Sequence, residues 1–478
     1  MRILICTNAY PPHFVGGAEL VAHQVALQMT ALGHEVAVFA GKPVHEDAPA
    51  TLEHDVYDGL PVYRCARTRQ DYDVTGTNYV DLKLDRQFQT VLRDFRPDVV
   101  HAHNLLGLSA RILILAAEAG ARVFLTFHDF WGFCLRNTLM LENETLCADW
   151  SGCENCLPPA RTARPPLRLR QDLLAVAFDH VDRFICPSAF VRDKYIAAGF
   201  PIEYSALVRN GIDTALFAAV SPLRPRSFSA EDPLRLMFAG YLGSHKGVHL
   251  LPRVIAAMRH RGKIRLELYG EGPHDLSLRA QIAQLGLGSV IRFKGKLQPE
   301  AMVGAYECNE ALVLPSIWSE NQPVCIMEAM ACGRPIIASR IGGIPEMIDH
   351  GREGFLCAPG DVPALAAALD RLIEAPQQVI EMGARARARV AEQSYRQQAE
   401  NLLDLFVQEG RSGETRRPAR PVVAIPAAEN AAAFVPDRGD QTQYILFEDW
   451  LTPGMTAEPP APLRGGHGGR SFFNRRSR

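Results

Sequence analysis

The sequence has no run of about 18 apolar residues, so no segment is predicted to cross a bilayer as a helix. It has no excess of one charge either. A formal net charge of −2 argues against the broad basic footprint of nucleic-acid-binding proteins, and no nucleic acid is expected as a partner. No Gly-x-Gly-x-x-Gly follows the first strand, which argues against a dinucleotide oxidoreductase. The N-terminus opens on Met1-Arg2-Ile3-Leu4-Ile5-Cys6, a strand with no charged leader, apolar region and small-residue cleavage site ahead of it. The expectation is a protein that stays in the cytosol, where its 11 cysteines are reduced. A cluster of them then points to metal before it points to disulfides.

What is present is apolar content in short pieces. The chain has 478 residues, 47% of them hydrophobic and 22% charged, which describes a soluble globular protein of about two or three domains. Strands are predicted at Ile3–Ile5, Val36–Phe39, Val99–His101, Val123–Thr126, Phe184–Cys186 and Leu207-Val208, with helical stretches between several of them. The first such helix carries Val21, Val25, Met29 and Leu32 at helical spacing and closes at Gly33. Residues 218–233 are rich in Pro, Ser and charge and break this rhythm, which restarts with strands at Leu234–Phe238, Leu266–Tyr269, Val290–Phe293, Leu312–Leu314 and Ile336-Ile337. The expected fold class is α/β, with two doubly wound, Rossmann-like domains facing a central cleft. The expected boundaries are 1–215 for the N-terminal domain, with a Cys-rich insertion at about 130–160, then a linker over 216–233, a C-terminal domain over 234–394 and a terminal helix over 395–410. The Pro-, Ala-, Gly- and Arg-rich tail, 411–478, is expected to be disordered.

Between two of the apolar strands lies Trp318-Ser319-Glu320-Asn321-Gln322-Pro323-Val324-Cys325-Ile326-Met327-Glu328. Pro323 suits the first position of a helix, with Asn321 or Gln322 as its cap. The N–H groups around Val324 and Cys325 would then face the strand ends, where they suit a phosphate or pyrophosphate. Glu328 could accept hydrogen bonds from a ribose diol, and Glu320, ahead of the helix, from a second polyol. One carboxylate per sugar with a pyrophosphate between them outlines a nucleotide-sugar. The competing reading, for two arbitrary glutamates, is a capping residue and a solvated helix face.

This stretch, continued by Ala329-Met330-Ala331-Cys332-Gly333, resembles the signature of glycosyltransferase family 4, retaining enzymes of the GT-B fold. The resemblance extends over most of residues 1–400. Gly16-Gly17-Ala18-Glu19 is similar to the family's first glycine-rich turn and Thr126-Phe127-His128-Asp129 to its strand-end histidine. Phe238-Ala239-Gly240-Tyr241, followed by Lys246-Gly247, is similar to its phosphate-binding lysine motif, and Ile341-Gly342-Gly343-Ile344-Pro345-Glu346 to its late glycine pair. It implies a donor-binding set of Gly16, Gly17, Lys246, Glu320, Asn321, Gln322, Pro323, Val324 and Glu328, and a catalytic set of His128, Lys246 and Glu320. His128 would lie close to the donor sugar, and Lys246 would reach the diphosphate as a point charge. Tyr241 stands where the family usually has arginine, so a second positive charge must come from elsewhere. The activity implied is sugar transfer from a nucleotide-diphosphate donor to a glycan or lipid-linked acceptor of a cell-surface kind. A nucleotide-sugar epimerase and a non-catalytic nucleotide-sugar-binding scaffold on the same fold are the alternatives. No catalytic metal is expected, because no Asp-x-Asp stands in a suitable loop and lysine with a helix N-terminus can take the charge. Arg161, Arg164, Arg168 and Arg170 are read either as a peripheral contact with the inner membrane face or as a solvated helix face.

Cys134, Cys147, Cys153 and Cys156 end in a Cys-x2-Cys knuckle. Four thiolates match tetrahedral zinc, with a role in shaping the acceptor side of the cleft; four reduced thiols in a loop are the alternative, and an iron–sulfur cluster a third. Elemental analysis of protein purified without chelator is expected to find about one equivalent of zinc, as a four-thiolate site requires. Less than about a tenth of an equivalent of zinc or iron removes the metal reading.

Overall fold

Runs such as Ile3-Leu4-Ile5 and Leu312-Val313-Leu314 lack polar alternation, as strands covered on both faces must. In the computed structural model they are fully or almost fully buried strands of two separate sheets. The structure describes residues 1–13, 16–45, 47–68, 71, 80–141, 143–147, 167–200, 202, 205–298 and 301–411. Cys153, Cys156, Arg161, Arg164 and the tail beyond Arg411 therefore lie outside the described residues.

The N-terminal sheet contains β1 (Arg2–Thr7), β2 (Glu35–Pro43), β3 (Leu52–Tyr57), β4 (Leu60–Arg67), β5 (Val99–Ala102), β6 (Arg122–Thr126), β7 (Arg183–Cys186) and β8 (Ala206–Leu207), in the spatial order β3-β4-β2-β1-β5-β6-β7-β8. All neighbours are parallel except β3 and β4, which form a hairpin around Asp58-Gly59, two residues with φ of 47° and 80°. That turn chemistry is the usual signal for a two-residue hairpin loop. The hairpin leaves no apolar trace in the sequence, because β3 is exposed along most of its length and carries no apolar run. Helices α1 (Gly17–Ala31), α2 (Leu82–Phe95), α3 (Arg111–Glu118), α4 (Leu167–Phe178), α5 (Ala189–Ala197) and α6 (Thr214–Ala218) follow in chain order.

The second sheet contains β9 (Leu234–Ala239), β10 (Ile264–Tyr269), β11 (Ile291–Gly295), β12 (Ala311–Leu314), β13 (Ile336–Ser339) and β14 (Gly354–Cys357), all parallel in the order β11-β10-β9-β12-β13-β14. Its helices are α7 (Leu251–Ala257), α8 (Asp275–Gln284), α9 (Met302–Cys308), α10 (Val324–Ala331), α11 (Ile344–Met347), α12 (Val362–Glu374), α13 (Pro376–Val390) and α14 (Tyr395–Arg411). Two Rossmann-like α/β domains thus stand in series. In both, strand order reverses beside the first strand, β1 or β9, and that reversal opens a crevice at the carboxyl ends of the strands.

Two segments tie the domains together. The proline-rich stretch after Ala218 is packed rather than slack. Val220 and Phe228 are buried in the C-terminal core, and Arg226 donates to Glu310 Oε1 at 2.8 Å and to the Pro233 carbonyl at 2.9 Å. The last helix, α14, returns to the N-terminal domain, where Ala399, Leu402, Leu403 and Phe406 join Ile3, Ile5, Val25 and Phe124 in one core. Phe406 is fully buried with its ring 4.4 Å from that of Phe124 and 5.4 Å from that of His101, and its carbonyl accepts from Arg122. No helix among the described residues is long and apolar enough to cross a membrane. Arg170, one of the arginines read as a membrane contact or a solvated face, fits neither: it is buried and donates to the Trp131 carbonyl.

Phe406→Ala removes a buried aromatic ring under β5 and β6. Urea unfolding is expected to show a loss of about 3–5 kcal/mol, the usual cost of such a truncation. A loss below about 1 kcal/mol means that α14 does not carry the N-terminal core.

Candidate active site

The site begins where β12 ends. After Leu314 the chain runs through Pro315 and Ser316 into Glu320, whose carboxylate is almost fully buried. Lys246, in a single helical turn after β9, donates to both of its oxygens, at 2.8 Å and 3.1 Å, and Ser316 Oγ adds a third bond at 2.6 Å. The Lys246 ammonium also lies 4.9 Å from the centre of the Trp318 ring, within cation–π range. Burial opposes ionisation of Glu320, but the charge and hydrogen bonds of Lys246, with Ser316, outweigh it and hold the carboxyl below its ordinary value. The pair stands where it does because Gly247 has φ of +66° and a side chain there would begin 1.9 Å from the Pro315 carbonyl oxygen. No other residue lets the β9 turn approach the β12 turn so closely.

Asn321 and Gln322 do not cap the helix that follows. Pro323 is itself the cap residue of α10, extended at ψ of 122°, and Val324 is the first helical residue, so the expectation of Pro323 inside the helix behind an Asn or Gln cap is corrected. The amide of Asn321 reaches across the cleft: Nδ2 donates to the carbonyls of Phe127 at 3.1 Å and His128 at 3.3 Å, and Oδ1 accepts from Ser188 Oγ at 2.6 Å. Gln322 Oε1 accepts from the Asn210 N–H at 2.8 Å, and its Nε2 lies 3.2 Å from Met327 Sδ. Stronger partners in the N-terminal domain thus outcompete local capping. Glu346, in α11, completes the seam by accepting from the Ala189 and Phe190 N–H groups at 2.9 Å and 2.7 Å, at the start of α5. Gly342 and Gly343 lie against the backbone of Glu320 and Asn321, where a side-chain carbon would sit 2.0 Å from a carbonyl oxygen.

The N-terminal face of the cleft is built from the ends of β1, β5 and β6. Gly16 donates its N–H to Glu19 Oε2 at 2.9 Å, and Gly17 opens α1 directly against the start of α10, where an added side-chain carbon would meet Val324 Cγ2 at 2.8 Å. The first N–H groups of α10 have no carbonyl within the helix to take them and direct a partial positive charge at that junction. His128 stands two residues past the end of β6 and is half-buried, with its Nε2 2.9 Å from Nδ1 of His103, which follows β5 directly. Burial pulls the His128 imidazole down to about 4, so it is neutral at ordinary pH. Beside it Asp129 accepts from the Trp131 N–H at 2.8 Å and from Asn104 Nδ2 at 3.2 Å. Burial, with the charge of Glu19, raises the Asp129 carboxyl to about 6 against those two bonds.

Glu328 lies one helical turn into α10. The Tyr306 hydroxyl sits between its Oε2, at 2.9 Å, and the Cys325 carbonyl, at 3.0 Å. A phenol carries one proton and can serve only one of two acceptors. A protonated Glu328 resolves this by donating to the phenol oxygen while the phenol donates to Cys325. Burial indeed pushes the Glu328 carboxyl up to about 7 against the pull of the Tyr306 hydroxyl. Lys246, Glu320 and Glu328 all act on the Cys325 thiol, which burial chiefly raises to about 12, so the three charges share one neighbourhood.

The structure therefore brings together Lys246 with Glu320, Gly17 with Val324, and Asn321 with the His128 backbone. Of the four cysteines, Cys134 is buried and Cys147 half-buried, and the other two lie outside the described residues. No motif in the sequence pointed to a role for His103, Asn104, Ser188, Ser316 and Tyr306, and Asp129 was marked only as the neighbour of His128 in its motif. The repeated histidine in Val99-Val100-His101-Ala102-His103-Asn104, at the end of an apolar strand, was the signal for the first two.

A model of "Glycosyltransferase Family 4" matches residues 15–216, and one of "Glycosyl transferases group 1" matches residues 221–389. The chain belongs to the family 4 glycosyltransferases. Among its relatives, a glycogen synthase of Mycobacterium tuberculosis is 28% identical over 408 residues, covering 82% of this chain and 90% of that protein. The amylovoran biosynthesis glycosyltransferase AmsK of Erwinia amylovora is 31% identical over 220 residues, covering 44% of this chain and 53% of that protein. Of solved structures, Anabaena HepE in complex with UDP superposes with a TM-score of 0.60 at 19% identity, covering 85% of this chain and 100% of that one. Sucrose-phosphate synthase of Thermosynechococcus elongatus does so with a TM-score of 0.62 at 19% identity, covering 85% and 99%. Their likeness shows the GT-B fold. This family 4 glycosyltransferase is a retaining enzyme that transfers a sugar from a nucleotide-sugar donor, which sets aside the epimerase and scaffold readings.

The raised carboxyl of Glu328 has a measurable consequence. Its folded-state value, about 7, lies above the ordinary one of 4.5, so the folded protein holds this proton to higher pH than the unfolded chain does. Its contribution to stability is full below about 4.5 and is lost as pH rises through about 7. Glu328→Gln has no such proton to lose, so its stability relative to wild type is expected to rise across that window and level off above it. Denaturant unfolding in a pH series checks this; a difference independent of pH contradicts it.

Proposed function

We propose that this glycosyltransferase holds the diphosphate of a uridine-type nucleotide-sugar between Lys246 and the first N–H groups of α10, and passes the sugar to a glycan or lipid-linked acceptor on the N-terminal domain. The observation that carries the reading is the Lys246–Glu320 pair, which sets a cation beside the start of α10. An incoming diphosphate competes with Glu320 for that ammonium, and Glu320, released, accepts from hydroxyls of the transferred sugar. Glu328 accepts from the ribose. Gly16 and Gly17 let the diphosphate or sugar approach the α1 backbone, with Pro323 and Val324 opposite. Asn321 and Gln322 serve the donor by holding the two faces together. His128 stands beside the sugar. The lysine and the helix dipole supply the positive charge that leaving-group departure needs, so no catalytic metal is required. A zinc held by the four cysteines would be structural.

HepE crystallised with UDP and with UDP-glucose supports the nucleotide, and AmsK, an amylovoran biosynthesis glycosyltransferase, supports a biosynthetic transfer. A lipid-linked acceptor would bring the enzyme to the cytoplasmic face of a membrane.

Calorimetric titration of UDP and a panel of UDP-sugars, with transfer to lipid-linked oligosaccharides followed by mass spectrometry, tests this. Lys246→Ala is expected to weaken UDP binding about 10- to 100-fold, as loss of a charge-assisted contact does, and Glu328→Ala about 3- to 10-fold, as loss of an ordinary hydrogen bond does. Glu320→Gln frees the ammonium, so UDP is expected to bind at least as tightly as to wild type while transfer collapses. Wild-type UDP affinity in both alanine variants refutes the site.

A further inference from the structure

The histidine pair just past the ends of β5 and β6 carries more information than its proximity. His103 Nδ1 and His128 Nε2 are 2.9 Å apart, their ring planes differ by 11°, and both backbones are fixed. The His103 N–H donates to the Cys6 carbonyl on β1 at 2.8 Å, and the His128 carbonyl accepts from Asn321 at 3.3 Å. Burial, with the charges of His101 and His128, holds His103 well below its ordinary value, and His128 is neutral too. Two neutral imidazoles joined by one hydrogen bond have two arrangements, which differ in which ring donates.

If His128 donates from Nε2, His103 must carry its own proton on Nε2. That nitrogen is buried and has no hydrogen-bond partner among the described residues, so the arrangement strands an N–H. If His103 donates from Nδ1, the same buried position holds only a lone pair. Buried N–H groups without an acceptor are the rarer and costlier case. The second arrangement also fixes the free nitrogen of His128: with Nε2 accepting, its proton sits on Nδ1. His101 does not alter the count, because its Nε2 is 2.8 Å from Thr126 Oγ1 and its Nδ1, buried, has no partner among the described residues.

We infer that His103 is a positioning residue that sets the tautomer of His128, donating from Nδ1 so that His128 presents an Nδ1–H donor to an oxygen of the bound sugar. This rests on the reading of the cleft as the donor site. It makes His128 a neutral hydrogen-bond donor to the sugar rather than a proton acceptor. His103 acts from behind, without touching substrate.

The tautomer can be read without any substrate. In the full-length protein labelled with 15N-histidine, long-range 1H–15N spectra, assigned with His128→Gln, are expected to show His128 protonated on Nδ1 and bare on Nε2. His103→Asn places an amide donor near the same position and is expected to keep that tautomer and transfer within about threefold of wild type. His103→Leu, equal in bulk, is expected to lose the preference and to lower kcat by about 10-fold, more than the Asn variant and of the order of one lost neutral hydrogen bond, with donor KM little changed. Protonation of His128 on Nε2 in the wild type overturns the inference, as does an Asn variant as impaired as the Leu variant. If the Leu variant does not fold, the wild-type spectrum still decides. A bound UDP-sugar that leaves the His128 signals unmoved refutes the donor-site reading instead and leaves the tautomer result standing.

Discussion

Three consecutive residues, Glu320, Asn321 and Gln322, carry the constraint on which the active site depends. All are buried, and each directs its side chain to a different place: Glu320 back to Lys246 in its own domain, Asn321 to the ends of β6 and β7, Gln322 to the backbone after β8. A buried amide or carboxylate that loses its partner is costly by about 1–3 kcal/mol, more when charged, so these contacts hold together or fail together. Their joint effect is geometric. With the Asn321 amide on the Phe127 and His128 carbonyls, the start of α10 can lie nowhere but against Gly17, and the cleft acquires one amide-lined corner shared by both domains.

Burial around that corner, set against the partners each acid has, sorts its acids. Glu320, Glu328 and Asp129 have similar intrinsic acidity, yet Glu320 is held below its ordinary value, Asp129 raised to about 6 and Glu328 to about 7. Burial pushes all three upward; what differs is the partner. Glu320 alone faces an ammonium, while Glu328 faces a phenol and Asp129 an amide, a backbone N–H and the charge of Glu19. At pH 7 Asp129 is still mostly ionised and Glu328 about half so, while the full charge of Glu320 is neutralised by Lys246. An approaching diphosphate meets less repulsion than a count of carboxylates in the sequence suggests.

Much of the fold was legible because parallel strands buried on both faces leave an unmistakable trace: unbroken apolar runs at regular intervals, as in Ile3–Ile5, Val123–Thr126 and Leu312–Leu314. β3 left none, being an exposed edge strand, and its Asp58-Gly59 turn was the one local sign of the hairpin. In the site, Lys246, Glu320 and Glu328 could be picked out by their places after strands and within α10. The pairing of Lys246 with Glu320 could not, since it follows from β9 lying next to β12, and sequence spacing does not encode sheet order. Asn321 and Gln322 were misread for a related reason. Both are good caps by chemistry, but local propensity yields when tertiary partners such as the Phe127 carbonyl and the Asn210 N–H are better placed. His103 acquires meaning only once β5 and β6 lie side by side and bring it to His128.

The same electrostatics bear on how a retaining transfer can run here. Deprotonating an acceptor hydroxyl calls for a base, yet burial makes His128 a weak one with its Nε2 already engaged, Asp129 is held by the Trp131 N–H and Asn104, Glu328 holds its proton to about 7, and Glu320, in the proposed reading, is committed to the sugar once the diphosphate displaces it from Lys246. The basic oxygens nearest the reaction would then belong to the departing diphosphate itself, which gains charge as the glycosidic bond breaks and lies on the face that the acceptor must approach for retention. In the proposed reading the protein's part in such a step would be to stabilise that charge with Lys246 and the start of α10, and to hold donor and acceptor at reacting distance. A seam that fixes both walls of the cleft through Asn321, Gln322 and Glu346 is what that division of labour requires, because the chemistry is left to the substrates and the geometry to the fold.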